Sequence, residues 1–183
     1  MYFLKGKIIE KINNRIIVEN NNIGYEARCY DKISVNKNIE YQFYVYQYIN
    51  EFKQILYFSL DKNCIKFIQI VMDTKGVGPK MINELLTNYS YKEIIEFVKI
   101  GNIEPIVNLK FLNLNIVKTI FYNLGKDLEI KKTTPFQKNI INSLIKMGFN
   151  TNDIYSAVTN TKKTVNSEEY LKLIINKLNT YEQ

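Results

Sequence analysis

The 183-residue chain has no histidine and no tryptophan, and only 2 cysteines, 3 prolines and 7 glycines. Without histidine, the commonest general base is missing. With Cys29 and Cys64 as the only thiols, a conventional zinc site is excluded too. Both cysteines sit in apolar patterns and no signal peptide precedes them, which reads as buried, reduced thiols of a cytoplasmic protein. No run is long and apolar enough to span a bilayer, and there is no GKS or GKT phosphate loop.

What is present describes a globular, basic chain. Hydrophobic residues make up 46% and charged residues 23%, well outside the disordered range. The net charge is +7 and the pI about 9.2. That balance permits an acidic partner such as nucleic acid without proving one, because a bias toward isoleucine, asparagine, lysine and tyrosine inflates it. Residues 1–61 carry 8 basic and 7 acidic side chains, residues 62–127 carry 9 and 6, and residues 128–183 carry 8 and 5.

The most informative stretch is Thr74-Lys75-Gly76-Val77-Gly78-Pro79-Lys80. Cys64, Phe67, Ile68, Val71 and Met72 recur at helical spacing before it, and Met81, Ile82, Leu85, Leu86 and Tyr89 after it. The segment between is short enough to be a tight turn joining two antiparallel helices. Gly76 and Gly78 permit positive φ and close backbone approach to a ligand. Pro79 suits the first position of the second helix. Free amides at a helix N-terminus make an anion site, Val77 plugs the gap between helices, and Lys75 and Lys80 supply charge. This is the helix-hairpin-helix pattern, which holds a nucleic-acid backbone without reading bases. The bland alternative is a plain glycine turn between core helices.

Residues 1–61 read as five short strands punctuated by Asn13-Asn14, Asn20-Asn21-Asn22 and Asn36 to Asn38. With no helix between them, they suggest a small barrel of the OB type. Gly24-Tyr25 suggests a bulge or close backbone approach in the third strand. Phe43, Tyr44, Tyr46 and Tyr48 suit either a base-stacking platform or core filling, with core filling the expectation.

From Asp61 the period becomes helical. Ser90-Tyr91-Lys92-Glu93 is a capping box, and Gly101 ends its helix. A further pair of segments follows, Ile103 to Leu109 and Leu112 to Leu124; the turn between them sits where a second hairpin would lie if the unit were duplicated, and it has no glycine. Asn113 tolerates left-handed backbone and Phe111 does not. A backbone contact through Lys110, Asn113, Asn115 and Lys118 and a merely solvated turn both stand open. Residues 128–134 read as a linker. Thr134-Pro135-Phe136-Gln137 opens the first of three terminal helices, Thr151 the second and Asn166 the third. The Met147-Gly148-Phe149 turn is similar to the loop of ubiquitin-associated-type bundles, which bind protein partners; the alternative is a C-cap glycine backed by a buried phenylalanine, and both readings can hold together.

The expected fold is therefore α+β and multidomain: an OB-type barrel (1–61), a tandem helix-hairpin-helix domain (62–127), a linker (128–134) and a three-helix bundle (135–183). In this order and size, and in Phe3-Leu4-Lys5-Gly6-Lys7-Ile8-Ile9-Glu10, Gly24-Tyr25-Glu26, Gln54-Ile55-Leu56-Tyr57-Phe58 and the 74–81 turn, the chain resembles the RuvA family, DNA-binding subunits of Holliday junction branch migration complexes. The resemblance implies a homotetramer or octamer that holds four-way junction DNA open on a basic face, gripping phosphates through both hairpins. It implies that Leu144, Met147, Gly148 and Phe149 dock the hexameric ATPase RuvB, that the nuclease RuvC resolves the junction, and that this subunit needs no cofactor and breaks no bond.

Three departures from the family pattern stand out. An adjacent acidic pair, which forms a strand-separating pin in the family, is here Glu51-Phe52, followed by Lys53. The second hairpin, Pro-Gly-Ile-Gly-Lys-Lys in the family, is here Lys110-Phe111-Leu112-Asn113-Leu114-Asn115. The linker is short. Among rivals, a helix-hairpin-helix glycosylase needs a catalytic aspartate after the hairpin, and residues 79–126 contain none. A sequence-indifferent single-strand binder needs exposed aromatics along a barrel groove. A purely structural adaptor leaves the hairpin unexplained.

Overall fold

The computed structural model describes residues 2–36, 38–128, 134–149 and 167–181, with 153, 154, 157, 158 and 161 between the last two. Five strands come first: β1 (Phe3–Ile12), β2 (Arg15–Asn20), β3 (Ile23–Arg28), β4 (Glu40–Ile49) and β5 (Gln54–Ser59). They close into a barrel in the order β1-β2-β3-β5-β4. Every pairing is antiparallel except β3 with β5, which meet in parallel at Arg28 and Tyr57. Asparagines make the turns that the sequence suggests: Asn13, Asn21 and Asn22 all take positive φ, as the tight hairpins of twisted strands require.

The irregularity falls elsewhere than expected. Gly24 sits in regular register opposite Glu19, and a Cβ there would make only ordinary contact with Ile17 at 3.6 Å. The bulge lies on β1, between Ile8 and Glu10. The close approach is at Gly6, where a Cβ would stand 2.4 Å from the Glu19 carbonyl oxygen. Gly24 faces a side chain and Gly6 a backbone, a difference that only cross-strand pairing decides.

Strand β4 uses both faces. Phe43 and Val45 point into the barrel core with Leu4, Ile8, Ile16, Val18 and Phe58, and the Phe43 ring stacks on Phe58 at 5.6 Å between centroids. Tyr44, Tyr46 and Tyr48 point outward and pack on the helical core. These aromatics fill core, and they form no open stacking platform.

The helices whose bounds fall among the described residues are α1 (Lys62–Met72), α2 (Pro79–Asn88), α3 (Tyr91–Ile100), α4 (Glu104–Val107), α5 (Leu114–Asp127), α6 (Pro135–Lys146) and α7 (Ser167–Tyr181). Helix α1 buries Cys64, Ile65, Phe67, Ile68, Ile70, Val71 and Met72. Lys62, Asn63, Lys66 and Gln69 share its one exposed face, and the rest of the helix is packed by β4, β5, α2 and α5. Its start is fixed by carboxylates. Asp31 accepts hydrogen bonds from the Ser59 hydroxyl at 3.0 Å and the Leu60 N–H at 2.6 Å. Asp61 caps α1 through the Asn63 N–H and accepts from the Tyr91 hydroxyl. Burial pushes both thiols, Cys29 and Cys64, up to about 12, so neither is a nucleophile near neutral pH.

Ser90 and Glu93 form the expected capping box, and Gly101, at φ 70°, ends α3. Thr134 and Gln137 repeat the device at α6 with Pro135 in its first turn. Residues 129–133 of the linker, and the start of the second terminal helix at Thr151, lie outside the described residues, as does Asn166. Ile140, Ile141, Leu144, Ile154, Val158, Tyr170, Ile174 and Leu178 share one core with Ile100 of α3.

Candidate nucleic-acid interface

The turn between α1 and α2 is built by its own hydrogen bonds. The Thr74 N–H donates to the Val71 carbonyl at 3.1 Å, and the Val77 N–H donates to the Thr74 carbonyl at 3.0 Å. Thr74 is buried, its hydroxyl donating to the Ile70 carbonyl and accepting from the Asn123 amide of α5 at 2.9 Å. Val77 is half-buried and packs on the helical core, as the plug reading expects. Gly76 takes φ +86°, a conformation that L side chains enter only under strain. Gly78 does not share that role. It is the N-cap of α2 at φ −144° and ψ 179°, extended backbone open to any residue, and a Cβ there meets nothing within 4 Å. Pro79 is the first residue of the helix.

Among the described residues, no protein acceptor takes the N–H of Gly76, Gly78 or Lys80. These amides lie at an exposed turn, with the Lys75 and Lys80 side chains also exposed. Unpaired N–H groups at a helix N-terminus, with two cations beside them, form an anion cradle.

The second turn follows the same path despite lacking glycine. The Leu112 N–H donates to the Leu109 carbonyl, matching Val77 to Thr74. Phe111 occupies the left-handed slot at φ 66°, where Gly76 stands in the first turn. Leu112 is buried as the plug. Asn113 is extended, at φ −119°, and caps α5 by accepting the Ile116 N–H at 2.9 Å. Residue preference assigns the left-handed position to Asn113 and denies it to Phe111; the structure reverses both. Lys110, Asn115 and Lys118 are exposed around this turn.

Three further residues belong to the site and carry no local sequence signal. Asn123 fixes Thr74 across 49 positions of sequence. Arg28, at the end of β3, donates to the Pro79 carbonyl at 3.2 Å and so ties the barrel to the hairpin. Tyr30 donates to the Asn83 side chain at 3.2 Å, a second strap onto α2. Burial raises the Tyr30 phenol above its ordinary range, keeping it a neutral donor. Arg28 and Lys80 line an open cleft of about 920 Å³ between barrel and α2.

Glu51 and Phe52 sit at the β4–β5 tip. Asn50 organises that tip, its side-chain oxygen accepting the Phe52 N–H at 3.0 Å and the Lys53 N–H at 2.7 Å. Glu51 is exposed and Phe52 is 86% exposed. In the terminal bundle, Gly148 takes φ +91°, and the Phe149 N–H donates to the Leu144 carbonyl, closing α6. Met147 is exposed, whereas Leu144 is fully buried and Phe149 packs on the same core. Leu144 therefore shapes the turn from within and presents no side chain to a partner.

No helix among the described residues is long and apolar enough to cross a membrane. Residues 1–57 match the family described as RuvA N terminal domain. The chain is 28% identical over 176 residues to the Holliday junction branch migration complex subunit RuvA of Nautilia profundicola, covering 96% of this chain and 95% of that protein. It is 27% identical over 179 residues to the subunit of the same name from Mycoplasma mycoides subsp. mycoides, covering 93% and 94%. With that of Phytoplasma mali it shares 28% over 181 residues, covering 96% of each.

Proposed function

We propose that this chain, whose residues 1–57 match the RuvA N terminal domain family and which is similar to RuvA subunits along nearly its whole length, binds four-way DNA junctions and serves RuvB-driven branch migration. The observation that carries this is the exposed turn of unpaired amides at Gly76, Gly78 and Lys80, braced by Asn123 and Arg28. Those amides take phosphate oxygens, Lys75 and Lys80 supply the field, and no base edge is read. The second turn adds backbone amides of the same geometry, with Lys110, Asn113, Asn115 and Lys118 around them.

The subunit makes and breaks no covalent bond. It works in the cytoplasm as a homotetramer around the junction, while the motor hydrolyses ATP. The terminal helices act as a UBA-like bundle that docks RuvB through the exposed Met147 at the Gly148 turn, and RuvC resolves the product. Glu51, alone at the β4–β5 tip, cannot form an acidic pair, so charge repulsion there is weak.

Gel shifts of four-way, linear duplex and single-stranded DNA across a salt series test the reading. Four-way DNA should bind most tightly, with log affinity falling by about 0.9 per phosphate neutralised for each decade of salt. Preference for single strands would instead favour a sequence-indifferent accessory protein of the OB and helix-hairpin-helix type.

A further inference from the structure

Two phenylalanines stand on one groove with no packing reason to be there. Phe52 is 86% exposed and Phe111 58% exposed. Both line an open groove of about 630 Å³ shared with Arg28, Lys53, Gly76, Gly78 and Lys80. Single exposed apolar residues are common; these two are unusual in how they are held. Phe52 rides a turn fixed by three hydrogen bonds to Asn50, two on its side-chain oxygen and one from its N–H to the Lys53 carbonyl. Phe111 holds a left-handed backbone at φ 66°, which a bulky residue keeps only under strain, and strain of this kind marks a position held by its surroundings. The Lys80 ammonium lies 6.0 Å from the Phe111 ring centroid.

A groove that sets aromatic faces beside cations and beside phosphate-ready amides matches one chemistry: a base detached from its stack, with its own phosphate alongside. We propose that this groove receives an unstacked nucleobase at the open centre of a bound junction, with Phe52 as the stacking face and Phe111 and Lys80 as its neighbours. The β4–β5 tip then works by occupying the space of a stacked base, where a doubly acidic tip would work by repelling phosphates. This rests on the junction reading above. It accounts for a phenylalanine following Glu51 and for Lys53 after it, a charge that attracts the backbone.

The test uses the full-length protein and two immobile four-way junctions, one intact and one with abasic nucleotides at the crossover. Wild type should bind the abasic junction at least about 5-fold more weakly, the low end of a stacking contact. Phe52→Ala should bind both junctions equally, at the wild-type affinity for the abasic one, with unchanged salt slope and melting temperature. Phe52→Tyr should restore the difference and Phe52→Leu should not. Equal wild-type binding to both junctions, retained discrimination in Phe52→Ala, or full rescue by Phe52→Leu would each overturn the proposal. If wild type fails to prefer the intact junction over linear duplex, the junction reading fails instead, and the two failures are distinguishable.

Discussion

Replacing Gly78 with alanine separates folding from binding. In the free protein the substitution is nearly silent, because the backbone is extended and a Cβ meets no atom within 4 Å. Alanine is a poorer N-cap than glycine, a loss of about 0.5–1 kcal/mol. Restricting the unfolded chain returns about 0.4–1 kcal/mol. The net change should lie within about 0.5 kcal/mol, or about 1–2 °C in Tm for a chain of this size. The methyl group would nevertheless project into the open space beside the Gly78 N–H, where on the phosphate reading an oxygen must come to about 2.9 Å. Loss of one charge-assisted hydrogen bond is about 1.5–3 kcal/mol, which is about 10- to 150-fold in Kd.

Thermal melting and fluorescence anisotropy on a labelled four-way junction, at one fixed salt concentration, read the two effects separately. Gly76→Ala is the contrasting case. Its φ of +86° penalises any L residue by about 1–2 kcal/mol, so it should lose stability and affinity together. Wild-type affinity in Gly78→Ala would refute the reasoning, since it would mean that no ligand approaches those amides.

Three other outcomes follow from the same geometry. Asn123→Ala removes the bond that steadies Thr74; melting should show a loss of about 1 kcal/mol, and junction affinity should fall several-fold although Asn123 touches no ligand. Lys110→Ala with Lys118→Ala should flatten the salt dependence of binding by about 0.9 for each phosphate that is no longer neutralised; an unchanged slope would mark the second turn as merely solvated. Met147→Glu, at a position 65% exposed, should leave melting and DNA binding intact and reduce stimulation of the RuvB ATPase; full stimulation would remove this residue from the dock.

The local chemistry of this chain is open to reading from its residues. Asparagine turns, the Ser90 and Thr134 capping boxes, the stop at Gly101 and Pro79 as first helical residue all depend on neighbours within four positions, and the structure has each of them. What escapes depends on partners far along the chain. A glycine within a strand points to Gly24 for the close approach, but β2 packs against Gly6, where the crowding atom is the carbonyl oxygen of Glu19, thirteen residues away. Arg28 and Asn123 look like ordinary surface residues, yet one ties the barrel to the hairpin and the other braces it. Leu144 lies on the apolar stripe of α6 and so has to be core, a conclusion its periodicity allows and its place before the Met147 turn obscures.

The second turn carries the broader point about inferring a hairpin from glycines. Its left-handed residue is a phenylalanine, which costs about 1–2 kcal/mol in backbone strain. Against that stand the burial of Leu112, roughly 1.5–3 kcal/mol, and the Asn113 cap on α5, about 1 kcal/mol. Packing and capping together outweigh the strain, so the turn keeps its shape without the residue that would make it easy. The two turns consequently hold one backbone path with different surfaces. The first shows bare amides between two exposed lysines. The second shows the same amides behind an aromatic ring that leans toward Lys80 of the first. A glycine at position 111 would relieve the strain and restore the bare cradle, but it would also strip the groove of one of its two exposed rings. On the base-stacking proposal, the ring is retained at that energetic cost because the surface meets bases as well as phosphates.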